Sequence, residues 1–367
     1  MHISELTLQV QRNCDISDAR HAGVYSLCGL LLRLRDLYKW EHDLSPWVEP
    51  DPPLLLDWVE SREQLWEELA NEELLPIEMD GEAFDPFDVA GINRRIRRAG
   101  LVYGAGFAIG MKPSFFLARL AGSKRIRGLR VDTLGRELAR DIFMSPAMRQ
   151  QDRIVARSSA MLFFLWDQVL ELRPSASEAL GYGLRRHGLD VKELRRFPSE
   201  LGPRLEDVAR TELDVWVYHE IGEASETGFG EKEWREIVST CSNSPVEILA
   251  RVIKDILADT HPEGLLRHII ENRIHSSLSF YAAFMRPFTR AVFPEVREAF
   301  RGFVADEDWG LIEQARKAGR LRAREAAEKL LCIHAAEKDA GRAIKRISAE
   351  IIEPLGISVS RADDDPD

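Results

Sequence analysis

Cysteine is scarce. Four occur in 367 residues, Cys14, Cys28, Cys241 and Cys332, and no two form a CxxC pair. Their spacing excludes a zinc knuckle and a thioredoxin-type redox motif, and it fits buried thiols in a reducing compartment. Long apolar runs are missing too. The longest, Gly100 to Met111, stops at Lys112-Pro113 and is too short to span a bilayer. The opening MHISELTLQVQRN has no basic stretch leading into an apolar one, so no secretory signal is expected and the protein reads as cytoplasmic, away from membranes. Positive charge is in deficit: 50 Lys and Arg face 61 Asp and Glu, a net charge of −11. That balance argues against general nucleic-acid binding. No repeat of the solenoid kind occurs.

What is present is an ordinary apolar fraction, 45%, and an uneven distribution of charge. Glu41 to Asp88 holds sixteen acids and one base, Arg62, whereas Arg94 to Arg157 holds fifteen bases and four acids. The two regions either face each other or solvate the surface. The functional alternative is a basic patch for phosphate or a partner.

Periodicity argues for a mainly α fold. Asp18 to Lys39 carries Val24, Leu27, Cys28, Leu31 and Leu34 at helical spacing, and Leu54 to Leu75 carries Trp58, Leu65, Trp66 and Leu69. Between Leu101 and Leu134, short apolar runs punctuated by Gly and Pro predict a three-stranded antiparallel meander. GAGFAIG there holds Gly104, Gly106 and Gly110, one residue too long for a dinucleotide fingerprint, and no βαβ unit surrounds it. No nucleotide cofactor is expected. Arg136 to Leu172 reads as helical with a break at Ser145-Pro146. Helices follow over Leu205 to Glu226, Pro245 to Asp259 and, as one long segment, Glu263 to Met285. The expected architecture is therefore a multi-helix, bundle-like protein with a small antiparallel β-meander, about 100–135, inserted in its N-terminal half. Residues 1–200 form an N-terminal unit, with a seam over Val191 to Pro203. Residues 201–358 form a C-terminal helical unit, and 359–367 an acidic, disordered tail.

Acids and imidazoles fall into line in two places. Each helical residue advances about 100°, so Glu212, His219 and Glu223 lie within roughly 40° of one another. His268, Glu271 and His275 form a second stripe on the later segment. Two such helices converging could hold iron, zinc or manganese, since imidazole and carboxylate suit those metals without thiolate. The set resembles the dimetal carboxylate sites of helical bundles. The Glu212 to His219 spacing is similar to that of heme-oxygenase-like dimetal oxidases, although the Glu-x-x-His pair of ferritin-like bundles is missing. HEIGE, His219 to Glu223, also resembles the HExxH helix of zincin metallopeptidases, with Glu223 in place of the second His. That resemblance implies His219 as a ligand and Glu220 as the catalytic general base.

Two functional expectations follow. One is a mono- or dimetal enzyme doing redox or hydrolytic chemistry on an unidentified small molecule, with these six ligands and Glu220. The other is a non-catalytic interaction or regulatory module with a protein partner, the basic meander serving as a partner or nucleic-acid surface. Under a purely structural alternative, His219 is a core histidine bonded to Glu223 or Glu212, and Glu271 and His275 form an i,i+4 surface pair.

Overall fold

The computed structural model describes residues 2–171 and 176–357. The tail 359–367 and Leu172 lie outside the described residues. The chain divides into two compact units, essentially residues 1–164 and 165–364. Among the described residues no helix is long and apolar enough to cross a membrane.

The first unit contains helices α1 (Ile3–His21), α2 (Leu27–Glu41) and α3 (Pro52–Leu69), then strands β1 (Ile77–Met79) and β2 (Glu82–Phe84), then helix α4 (Val89–Ile96). A sheet follows: β3 (Leu101–Phe107), β4 (Pro113–Ile126), β5 (Leu129–Arg140), β6 (Ala147–Gln150) and β7 (Arg153–Arg157). Helix α5 (Ser158–Leu170) straddles the boundary between the units.

This sheet overturns the bundle-with-meander expectation. It has five strands in the order β3-β4-β5-β7-β6, with β5 and β7 parallel and the other pairs antiparallel. It is a curled mixed sheet, not a three-stranded insertion. Residues 136–157, expected to be helical, supply the end of β5 and all of β6 and β7. Their helix-favouring Glu, Leu, Ala and Arg are overridden by pairing and burial, as tertiary context commonly overrides propensity. Register shifts in the β4–β5 pairing mark bulges, which bend and twist a sheet. Gly104 serves the curl. A Cβ there would collide with the Phe116 ring and the Gln150 amide. Gln150 on β6 donates to the carbonyl of Ala105 on β3 at 3.4 Å, so the two edge strands approach each other.

The sheet is apolar on both faces. One packs Tyr103, Phe115 and Leu117 against Leu6, Val10 and Cys14 of α1 and Ile92 of α4. The other gathers Val102, Phe116, Ala118, Leu134 and Val155. A buried polar latch joins α1 to the sheet. The Lys112 ammonium sits 2.9 Å from Asp18 and 3.5 Å from Asp141. Burial opposes its charge, but Asp141 and Asp18 hold its pKa above the ordinary lysine value.

The second unit is helical. It runs α6 (Ser177–Arg186), α7 (Val191–Arg196), α8 (Pro198–Ser225), α9 (Glu231–Thr240) and α10 (Pro245–Thr260). It continues with α11 (Leu265–Asn272), α12 (His275–Phe284), α13 (Pro287–Val292), α14 (Pro294–Asp306), α15 (Trp309–Ala336) and α16 (Ala340–Ile347). Residues 191–203, expected as irregular or short-helical chain, form the short helix α7 and the first turns of α8. The α8–α10 crossing is unusually close. A Cβ at Gly222 on α8 would collide with the Ala258 carbonyl of α10, and Gly264 meets the same carbonyl. Arg320 of α15 donates to the Leu257 carbonyl at 2.9 Å, and Arg316 donates to that of Thr260, so cations meet the C-terminal end of α10.

Candidate functional site

The segment read as one helix from Glu263 to Met285 is two. Arg273 adopts a left-handed conformation, φ 51°, ψ 47°, and ends α11; α12 starts at His275. That break separates the second stripe. His268 on α11 stacks on Tyr218, ring centroids 3.6 Å apart, with Asn272 bonded to its ring. Glu271 pairs with Arg267 at 2.8 Å. His275 turns to Glu307, 3.2 Å away, beside Phe303 and Trp309.

The first stripe stays on one helix, but its members meet different partners. Glu212 is buried, and Ser277 of α12 donates to its Oε1 at 2.8 Å. Burial pushes its pKa up to about 7, with the Ser277 hydroxyl working against the shift. Glu223 pairs with Lys254 of α10 at 2.9 Å, and the Lys254 ammonium lies 3.8 Å from the centroid of Trp234. Glu220 is buried on α8. Among the described residues no group of three or more His, Cys, Asp or Glu gathers in a way that could hold a metal ion. The structure therefore does not bring Glu212, His219, Glu223, His268, Glu271 and His275 together.

His219 has a different constellation around it. Its Nδ1 is 2.7 Å from Asp259 Oδ1. The other oxygen of Asp259 accepts the Tyr281 hydroxyl at 3.0 Å. A carboxylate only accepts, so Nδ1 carries a proton and donates it. Nε2 is left pointing toward Asp255, whose Oδ1 is 3.9 Å away. The His219 side chain is 25% exposed and that of Asp255 54%, so solvent reaches this side of the ring. Burial works against a charge on His219, but Asp259, with Glu220 and Asp255, holds its pKa well above the ordinary histidine value.

The close α8–α10 approach permits this geometry. Gly222 lies one turn after His219, and without a side chain there the imidazole can reach two residues of α10, four apart on one face. Asp255, Asp259 and Tyr281 were not legible as partners in the sequence. The available signal was the i,i+4 pair of acids, Asp255 and Asp259, near the end of an amphipathic helix, PVEILARVIKDILADT.

Two family models cover nearly all of this architecture. Residues 5–157 match the N-terminal domain, and residues 162–354 the C-terminal domain, of a family of unknown function, DUF6866. The chain belongs to the DUF6866 family. The His219 constellation lies wholly within the DUF6866 C-terminal domain, and the curled sheet within the N-terminal one. No curated protein and no solved structure matches the chain.

Proposed function

We propose that the C-terminal domain is an acid–base catalyst in which His219 exchanges a proton with a small substrate. The observation that carries this reading is the double engagement of Asp259. With one oxygen on His219 Nδ1 and the other on Tyr281, Asp259 fixes both the ring's orientation and its tautomer. Such an orienting carboxylate is what a positioned histidine acid or base requires. Asp255 supplies an exposed carboxylate on the Nε2 side of the ring. Asp255, Asp259, Glu220 and Glu223 outnumber Lys254 and His219, so the surroundings favour a neutral or cationic substrate. Nε2, with Asp255 Oδ1 3.9 Å away, is the nitrogen that exchanges the proton.

The test is a panel of chromogenic esters, amides and glycosides, assayed with wild type, His219→Gln and Asp259→Asn. Turnover should vanish in His219→Gln, at unchanged helix content. In the wild type its rate should fall at high pH along the His219 titration measured by NMR. Asp259→Asn should shift that limb to lower pH. Equal turnover by His219→Gln, or none by folded wild type across the panel, would sink the reading.

A further inference from the structure

Bulges turn charge into the curl of the sheet. On β4, Leu120, Ala118 and Phe116 stand two residues apart and share one face. Their partners on β5 are Leu134, Glu137 and Arg140, three residues apart. A regular strand alternates its faces, so residues at that spacing would point to opposite sides. One extra residue at each step, marked by the register shifts, keeps all three on the same side. Arg157, the last residue of β7, pairs with Leu134 and joins them. This is the face built from Val102, Phe116, Ala118, Leu134 and Val155.

Both guanidiniums are enclosed there, Arg140 0% and Arg157 1% exposed. Aromatic rings stand around them. The Arg157 guanidinium lies 4.6 Å from the Phe116 centroid. That of Arg140 lies 5.8 Å from the Trp40 ring of α2 and 6.0 Å from the Phe163 ring of α5. The Trp40 indole donates to the Glu137 carbonyl at 3.2 Å, fastening α2 to this strand.

The chain satisfies only part of these groups. Arg157 Nε donates to Glu137 Oε1 at 2.5 Å, and Arg140 Nε to the Asp141 carbonyl at 3.2 Å. Glu137 Oε2 stands 3.8 Å from Arg140 Nη1, an ion pair too long for a hydrogen bond. Asp36 lies 3.5 Å from Arg35 and 4.0 Å from Arg33, and Asp141 lies 3.5 Å from Lys112. All four terminal nitrogens of Arg140 and Arg157 have no hydrogen-bond acceptor among the described residues. Burial pulls the Arg140 pKa below its ordinary value, with Glu137 only partly opposing it. Buried donors without an acceptor are strongly disfavoured, and more so on a charged group.

We propose that Arg140 and Arg157 together bind one small oxyanion, of the carboxylate or phosphate type, through these terminal nitrogens. The inference is independent of the His219 reading. Guanidinium forks match carboxylate and phosphate oxygens in bidentate fashion. A carboxylate offers about four lone-pair sites as well as a charge, more than a water molecule can. Full enclosure limits the site to a small anion and links its binding to folding. Bulges of the kind that form this face are over-represented beside functional sites.

The experiment is thermal unfolding of the full-length protein in phosphate or acetate, with chloride keeping the ionic strength constant. Unfolding separates the two arginines, so an anion that needs both stabilises the folded state alone. The apparent unfolding constant should fall about 100-fold when the anion reaches about 100 times its dissociation constant. Arg140→Gln should bind roughly tenfold or more weakly, and so should Arg140→Lys, which keeps the charge but loses the fork. The response to anion is read rather than the midpoint, so a less stable variant still reports. If Arg140→Gln does not fold, Arg140→Lys carries the comparison. Whichever anion acts at the lower concentration gives the class of the ligand. A crystal grown in that anion should show it within hydrogen-bond distance of both guanidiniums. Water alone at those nitrogens would overturn the proposal. So would a response no greater than that to chloride, or one unchanged in the folded variants.

Discussion

Glu212 shows how one side chain changes meaning between sequence and structure. On a helical wheel it shares a stripe with His219 and Glu223 and reads as a ligand. In the fold it is buried, with Ser277 for a partner and a pKa of about 7. A carboxyl whose folded pKa lies above its unfolded value binds its proton more tightly when folded. Its contribution is therefore favourable at low pH and is lost as pH rises from the unfolded value, about 4.3, to about 7. The loss is on the order of 3 kcal/mol, and it remains above that window. Glu212→Gln keeps the shape and the amide oxygen can still accept from Ser277. Urea unfolding should show the variant more stable than wild type at pH 8 and no better at pH 4. An equal effect at both pH values would refute the buried, proton-holding role. His219 has the same sign, since its folded pKa is also raised. Its pairing with Asp259 stabilises fully below the unfolded histidine value and fades as pH climbs through the folded one.

Single backbone positions decide the elements. The apolar periodicity of 263–285 is continuous, and nothing in it announces a break. Arg273 ends α11 in the left-handed region, where a non-glycine residue is disfavoured by about 1 kcal/mol or more. Replacing it with glycine separates two pictures. In a continuous helix Arg273→Gly would cost about 1 kcal/mol. At a left-handed cap it should be neutral or raise the melting temperature. A clear fall in that temperature would contradict the break. Local pattern was a good guide to α8 and α10, each of which buries one face of a periodic segment. It failed over 136–157, where the same residue types pair as strands because long-range partners, Arg130 to Leu134 opposite Arg153 to Arg157, bury them better.

At the scale of the molecule, the division into two compact units predicts separable energetics. In the first, Lys112→Met leaves Asp18 and Asp141 as buried acids without their cation, a loss of about 3–5 kcal/mol. In the second, Gly222→Ala forces α8 off the Ala258 carbonyl, a loss of about 1–3 kcal/mol. The two positions share no partner, so the urea-derived losses should add to within about 0.5 kcal/mol in the double variant. A larger discrepancy would show that the two positions are coupled. The sequence by itself determined the helical second half, the presence of strands near residue 100 and the segregation of charge. Those depend on periodicity and composition, which act over a few turns or strands. Tertiary structure alone decided that six aligned acids and imidazoles would be dispersed. It alone chose Asp259, Tyr281 and Asp255 as the company of His219, and it alone turned Arg140 and Arg157 onto one face of a curled sheet. Each of these depends on which distant backbone can approach closely enough, at Gly104 and Gly222 above all, and helix or strand spacing carries no information about that.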